Sequence, residues 1–187
     1  MRFRGEFIQF QVEYGKIGLQ FNGRKSDVLL FNAEQGSAVD VRLGGATVRL
    51  AEHIVYLGIP IGRSMLETRH LLQSHLQKRI SLAYSRVVVY KRQFDRRILA
   101  HLYNAMALPH YLYLSPFWRI FQKEDKKKLR STYYKYAKYL LRLPPWTSNR
   151  IVTSRYGIIN PNEAILAQIA RYNSNIVTHP WAIILRQ

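Results

Sequence analysis

Cysteine is absent from this 187-residue chain, which excludes disulfides, thiolate metal ligands and cysteine nucleophiles. Acidic residues are scarce, because 11 Asp and Glu stand against 29 Lys and Arg, giving a formal net charge of +18. No apolar run approaches the ~18 residues that a membrane helix needs, and the first residues lack the apolar core of a signal peptide. We therefore expect an intracellular protein of the cytoplasm or nucleus.

The residues that are present indicate a folded, polyanion-binding protein. Hydrophobic residues make up 48% of the chain and aromatic residues 13%, enough for a sizeable core. Residues 1–62 carry seven basic and six acidic residues, a net charge of +1, whereas residues 63–187 carry 22 and five, a net of +17. This asymmetry predicts two domains, 1–62 and 63–187, with a nucleic acid held mainly by the second. A membrane surface fits less well, because the basic helices lack a large apolar face with Trp or Phe.

The hydrophobic periodicity changes at the same boundary. Phe3, Phe7, Phe10 and Tyr14 have helical spacing and predict a short N-terminal helix. Short apolar runs between residues 28 and 57, with a Gly44-Gly45 turn, predict strands and a hairpin. The fold class expected is therefore α+β, with strands first and helices afterwards.

Four helices are predicted beyond Gly62. They are one with an apolar stripe of Leu72, Leu76, Ile80, Ala83 and Val87, one from Arg96 to Leu108 capped by Asp95 and ended by Pro109, one from about Lys123 to Leu143, and one from Pro161 to about Val177.

Two segments resemble motifs of the reverse transcriptases of non-LTR (LINE-type) retrotransposons. Residues 18–31, GLQFNGRKSDVLLF, are similar to motif D, and residues 55–62, VYLGIPIG, are similar to motif E, the primer-grip hairpin. Segments within residues 97–118, together with 140–144 and 157–161, fit the thumb and connection that follow in this family. The resemblance implies a small antiparallel palm-edge sheet followed by an all-α thumb and connection bundle, and a fragment of an RNA-directed DNA polymerase that contacts primer–template.

The catalytic residues of that family are missing. Its members hold two Mg²⁺ with aspartates from motifs A and C. Here the four aspartates, Asp27, Asp40, Asp95 and Asp125, are scattered, and none is followed by another aspartate. The six histidines form no H-x-x-x-H or H-E-x-x-H pair, so no metal site is expected. Mg²⁺ is implied only for an intact reverse transcriptase, and the chain is not expected to polymerise alone.

The resemblance assigns roles to four residues of the first domain. Lys25 in motif D is implied to have an accessory catalytic role beside the β-phosphate of the incoming nucleotide; the alternative is a solvated charge in a turn. Tyr56, Leu57 and Gly58 in motif E are implied to grip the primer, with Gly58 allowing a close approach to a phosphate. The alternative for this segment is an ordinary buried strand.

The helix from Lys123 to Leu143 is the best predicted nucleic-acid surface. Leu129, Tyr133, Tyr136 and Leu140 share one narrow arc that predicts a core face. The opposite side carries only cations, which indicates phosphate contacts rather than a mixed solvated face. These cations are Lys127, Lys128, Lys135, Lys138 and Arg142. The tyrosines at 133, 134, 136 and 139 suit base stacking, although their helical spacing is more typical of a core.

The long helix after Gly62 adds Lys78, Arg79 and Arg86, which in the family would follow the minor groove of the template–primer duplex; a solvated face is the alternative. The expected partner is an RNA–DNA hybrid or RNA, and a fingers and palm polypeptide is a second candidate partner. Two other hypotheses stay open. One is a stand-alone basic helical nucleic-acid-binding module, and the other is a retrotransposon relic whose sheet lacks its partner strands.

Overall fold

The computed structural model describes residues 12–32, 41–43 and 45–178, with side chains described through residue 175. The chain divides into two compact units, Met1–Leu72 and Gln73–Gln187. The boundary between the units falls inside a helix that begins three residues after Gly62. The predicted α+β class is confirmed, because short strand pairs precede a helical region.

The elements follow in chain order. After a helical stretch over residues 12–16, here α1, come β1 (Asp27–Val28), β2 (Arg42–Leu43), β3 (Ala46–Thr47), β4 (Arg49–Leu50), β5 (His53–Tyr56) and β6 (Ile59–Gly62). The helices beyond are α2 (Met65–Val88), α3 (Arg96–Tyr113), α4 (Lys123–Leu140), α5 (Asn149–Tyr156) and α6 (Pro161–Thr178). Phe3, Phe7, Phe10, Val39 and Gly44 of the predicted helix and strands lie outside the described residues.

Within the described part of the first unit, the strands form three separate pairs. β2 with β3 and β5 with β6 are antiparallel, as expected, whereas β1 with β4 is parallel. The parallel pair places Asp27 opposite Arg49, and the Arg49 guanidinium donates to the Asp27 carboxylate at 2.9 Å. This bond and the Asp27 charge raise the pKa of Arg49. A cross-strand ion pair of this kind favours the observed register.

The β5–β6 hairpin turns on two residues with positive φ, Leu57 at 49° and Gly58 at 78°. This pattern is the type I′ turn, whose twist matches that of the paired strands. Gly58 adopts it without steric cost, but Leu57 carries a side chain in the left-handed region, which costs of order 1 kcal/mol.

The long helix α2 buries the whole predicted stripe. Leu72, Leu76, Ile80, Ala83 and Val87 are each at most 2% exposed, which confirms the prediction from spacing. α3 begins at the predicted cap, because the Asp95 carboxylate accepts from the backbone N–H groups of Arg97 and Ile98.

The prediction that Pro109 ends α3 is wrong, because the helix continues to Tyr113. Proline removes one backbone donor from a helix. Tertiary contacts beyond it hold the helix: Tyr111 is fully buried, and its hydroxyl donates to the carbonyl of Leu129 in α4 at 2.6 Å. The residues around Pro109 in the sequence cannot predict this hydrogen bond, because Leu129 lies 18 residues further along the chain.

A network of tyrosines and one asparagine joins α3, α4 and the segment after α5. The Tyr103 hydroxyl donates to the carbonyl of Tyr133 at 3.0 Å, and the Tyr133 hydroxyl donates to Asn104 Oδ1 at 3.2 Å. Asn104 also donates to the carbonyl of Gly157 at 2.7 Å and accepts from the N–H of Ile159 at 3.1 Å. Burial raises the pKa of Tyr103 and Tyr133, so both remain hydroxyl donors. The polar groups of this core are thereby satisfied by one another.

Two further differences from the sequence expectations concern the end of α4 and an additional helix. α4 ends at Leu140 rather than near Leu143, and the short helix α5 was not predicted at all. Ser148 caps the start of α5 by accepting from the N–H of Arg150, and Gly157 ends it with φ 74°. α6 starts at the predicted Pro161. Among the described residues, no helix has the length and apolar character needed to cross a membrane.

Candidate nucleic-acid interface

The acidic residues of the second unit all lie at helix N termini. Asp95 caps α3, Glu124 and Asp125 occupy the first turn of α4, and Glu163 occupies the first turn of α6. Carboxylates are stabilised there by the positive end of the helix dipole and by free N–H groups. Residues 73–187 contain 20 Lys and Arg and only these four acidic residues. Because the acidic residues are placed at helix N termini, few of them are left to neutralise the Lys and Arg side chains on the rest of the surface.

Three of the predicted cations project from the exposed side of α4. Lys127, Lys128 and Lys135 are all exposed and span about 100° of the helix circumference. We call these three residues the α4 lysine face. Glu124 lies one turn before Lys128, and no acidic residue follows on α4 after Asp125. Glu124 falls within the same arc of the helix, so this side presents charge of one sign to solvent only beyond the first turn of α4.

The other two predicted cations of this helix are engaged within the protein. Lys138 is half-buried, its ammonium donates to the carbonyl of Pro145 at 3.1 Å, and burial lowers its pKa. Arg142 follows the end of α4 in the left-handed region, with φ 54°, and its guanidinium donates to the carbonyl of Lys91. Both residues connect α4 to neighbouring segments, which spacing on a helical wheel does not reveal.

The core side of α4 is rotated from the predicted arc. Leu129, Tyr133 and Leu140 are buried as expected, but Tyr134 is buried as well and Tyr136 is only half-buried. The cause lies outside the helix, because the Tyr134 hydroxyl shares a 2.9 Å hydrogen bond with Thr153 of the unpredicted helix α5. Tyr133 and Tyr134 thus belong to the core and not to a binding surface.

The basic residues of α2 are exposed but lie on a different side from its contact with α4. Tyr84 of α2 stacks on Tyr136 of α4, with ring centroids 4.7 Å apart. Arg86 lies about 200° around the helix from Tyr84, and Arg79 about 140°. Lys78, Arg79 and Arg86 therefore do not extend the α4 lysine face, although all three are exposed.

Two histidines accompany the arginines on that side of α2. Burial lowers the pKa of His75, and the charges of Arg79 and Lys78 lower it further. Burial also lowers the pKa of His110 in α3, as do Arg79, His75 and Arg86. The spacing of histidines along the sequence does not reveal this cationic surrounding, because the residues come from two helices.

We expect these histidines to destabilise the fold in acid. A histidine whose pKa is lowered by folding stays neutral while the unfolded chain binds its proton, so the free energy of unfolding falls as pH drops below about 6.5. The double variant His75→Gln/His110→Gln should show a smaller fall between pH 7 and pH 5, measured by urea unfolding. His101→Gln, on the exposed side of α3, is the control and should keep the wild-type pH dependence. Identical pH dependence in all three proteins would contradict the assignment.

Lys25 of the first unit ends a short 3₁₀ turn, Gly23–Lys25, directly before β1. Only glycine fits at position 23, because a Cβ there would lie 2.4 Å from the carbonyl oxygen of Leu43. The exposed Lys25 side chain lines an open pocket with Arg24, Asp27 and Arg49. The one carboxylate of this pocket is already paired with Arg49, so the free charge beside Lys25 is positive.

The hairpin residues Tyr56 and Leu57 are exposed, at 62% and 72% of their surface. The alternative of a buried strand is therefore wrong for these two residues, while Ile59 on the returning strand is buried. Among the described residues, no three His, Asp or Glu side chains are grouped so that they could hold a metal ion. The Asp27 carboxylate accepts from Arg49, and the Asp95 carboxylate accepts from N–H groups at the start of α3.

No family model, curated protein or solved structure matches this chain.

Proposed function

We propose that this chain binds nucleic acid by contacting the phosphate backbone with the α4 lysine face. The observation that carries the proposal is the distribution of charge in the second unit, where the acids occupy helix N termini and Lys127, Lys128 and Lys135 share one exposed side of α4. Exposed like charges repel one another, so an external polyanion would lower their energy. A nucleic-acid backbone supplies such anions at regular intervals along its length.

We further propose that the nucleic acid is a primer–template and that the chain is the palm edge and thumb of a reverse transcriptase. The motif D and motif E resemblance supports this, together with the exposed positions of Lys25 and of the hairpin residues Tyr56 and Leu57. Under this proposal the Mg²⁺ ions and the catalytic aspartates belong to the fingers and palm part. The stand-alone binding module remains the second candidate, because the helical unit has a core of its own.

Fluorescence anisotropy across a salt series tests both levels of the proposal. The probes are a recessed RNA–DNA hybrid and single-stranded RNA of equal length. We expect log K to fall linearly with log salt concentration, since bound cations displace condensed counterions. Tighter binding of the hybrid supports the thumb, and equal affinities support the stand-alone module. An affinity that does not change with salt would overturn phosphate binding itself.

A further inference from the structure

An aromatic surface lies at the C-terminal end of α4, where the chain turns back after the helix. Tyr139 is 64% exposed, although it lies near the end of a helix whose other side is the core. Its ring meets the edge of Tyr84 at a centroid distance of 6.3 Å and an interplanar angle of 82°. Tyr84 is in turn stacked on Tyr136, so Tyr139 packs against a stacked aromatic pair.

One cation, Lys91, lies over this exposed ring. The Lys91 ammonium lies 4.8 Å from the ring centroid of Tyr139, a cation–π distance. The backbone of Lys91 is fixed by the Arg142 guanidinium, which binds its carbonyl oxygen. Arg142 keeps this place despite a left-handed backbone, so the segment that presents Lys91 is tied to the end of α4.

A second exposed ring lies on the segment that follows α4, and Lys138 binds the residue before it. Lys138, the residue before Tyr139, binds the carbonyl of Pro145, and the next residue, Trp146, is 85% exposed. An indole ring exposed to this degree contributes little to the core, so burial does not explain its presence. Exposed aromatic rings next to fixed cations form the arrangement that binds unpaired nucleotides, with bases on the rings and phosphates on the cations.

We infer that Tyr139 and Trp146 stack the unpaired bases of a single-stranded nucleic acid, with Lys91 beside its phosphates. This inference rests on the proposed nucleic-acid binding and adds to it a contact with bases. The α4 lysine face reads only the backbone, whereas the two rings distinguish an unpaired strand from a fully paired duplex.

The test compares two labelled oligomers of equal length and phosphate number, oligothymidylate and an abasic oligomer, by anisotropy at one salt concentration. We expect the wild-type chain to bind oligothymidylate more tightly. Tyr139→Ala should reduce this preference by about fivefold to a hundredfold, as the loss of one base stack does. Tyr139→Phe should keep it, Trp146→Ala should reduce it, and Tyr172→Ala, which removes a ring 49% exposed on α6, should leave it unchanged.

The possible failures are distinguishable. Equal binding of the two oligomers by the wild type, or a preference that survives both Tyr139→Ala and Trp146→Ala, overturns base stacking and leaves phosphate binding intact. If the wild-type chain binds neither oligomer, this inference is overturned, and the recessed hybrid in the same assay decides whether the proposed phosphate binding is overturned with it. Since both rings are exposed, the alanine variants should keep the wild-type unfolding curve, which checks that lost preference is not lost folding.

Discussion

Replacing Lys127, Lys128 and Lys135 together by glutamate should weaken nucleic-acid binding by about 100-fold at about 0.1 M salt, if each exposed contact contributes about 1 kcal/mol. The slope of log K against log salt should become shallower by about one for each lysine lost. The three side chains are exposed, so the variant should fold as the wild type does. Anisotropy with the recessed hybrid across the salt series measures both quantities.

The matched control separates position from total charge. Arg150, Arg155 and Arg171 are exposed on α5 and α6, and their triple replacement by glutamate changes the net charge by the same amount. We expect this control to lose much less affinity, because long-range attraction is screened within about 10 Å at moderate salt. An equal loss in both triple variants would mean that net charge, and not the α4 lysine face, holds the ligand.

The parts of the fold that the sequence predicted are those decided by contacts between near neighbours. The stripe of α2 follows from helical periodicity, and the Asp95 cap of α3 follows from a side chain that binds the next N–H groups. Neither feature requires knowledge of a distant segment. The same holds for the start of α6 at Pro161, since proline suits the first position of a helix.

The errors arose where distant residues decide the structure. α3 continues past Pro109 because the Tyr111 hydroxyl is bonded to α4. Tyr134 is buried where its hydroxyl meets Thr153 of α5. The sequence does not show this contact, because α5 is too short to have a clear hydrophobic periodicity. Lys138 and Arg142 donate to the carbonyls of Pro145 and Lys91, and a helical wheel does not include these acceptors. All five cations stay predicted phosphate contacts, and Lys127, Lys128 and Lys135 are the three that form the α4 lysine face.

The two units differ in how they use charge, which bears on the reverse-transcriptase proposal. In the first unit, basic and acidic side chains form ion pairs. Lys16 Nζ lies 2.8 Å from Glu13 Oε1, and Arg49 Nε lies 2.9 Å from Asp27 Oδ1. In the second unit the acidic residues lie at helix N termini, and most of the basic residues are exposed. A thumb that binds a polyanion and a palm edge that packs in a sheet would place their charges in this way, so the charge distribution and the motif resemblance support the same division of roles.

The tyrosine core carries the largest expected effect on stability. Tyr133 is fully buried, with ring centroids of Tyr103 at 5.0 Å and Tyr111 at 5.4 Å. Tyr133→Ala removes an aromatic ring from this packing and should lower the free energy of unfolding by about 3–5 kcal/mol, through lost burial and a residual cavity. Because a domain of this size is typically stable by only about 5–15 kcal/mol, the variant should be close to unfolding.

Tyr133→Phe isolates the hydroxyl from the ring. Asn104 Oδ1 loses one donor but still accepts from the N–H of Ile159, so we expect a loss of only about 1 kcal/mol. Urea unfolding followed by far-ultraviolet circular dichroism measures both variants, with Tyr172→Ala on α6 expected to stay within about 0.5 kcal/mol of wild type. Similar losses for Tyr133→Phe and Tyr133→Ala would show that the hydrogen bond to Asn104, rather than the packing of the ring, holds α3 and α4 together.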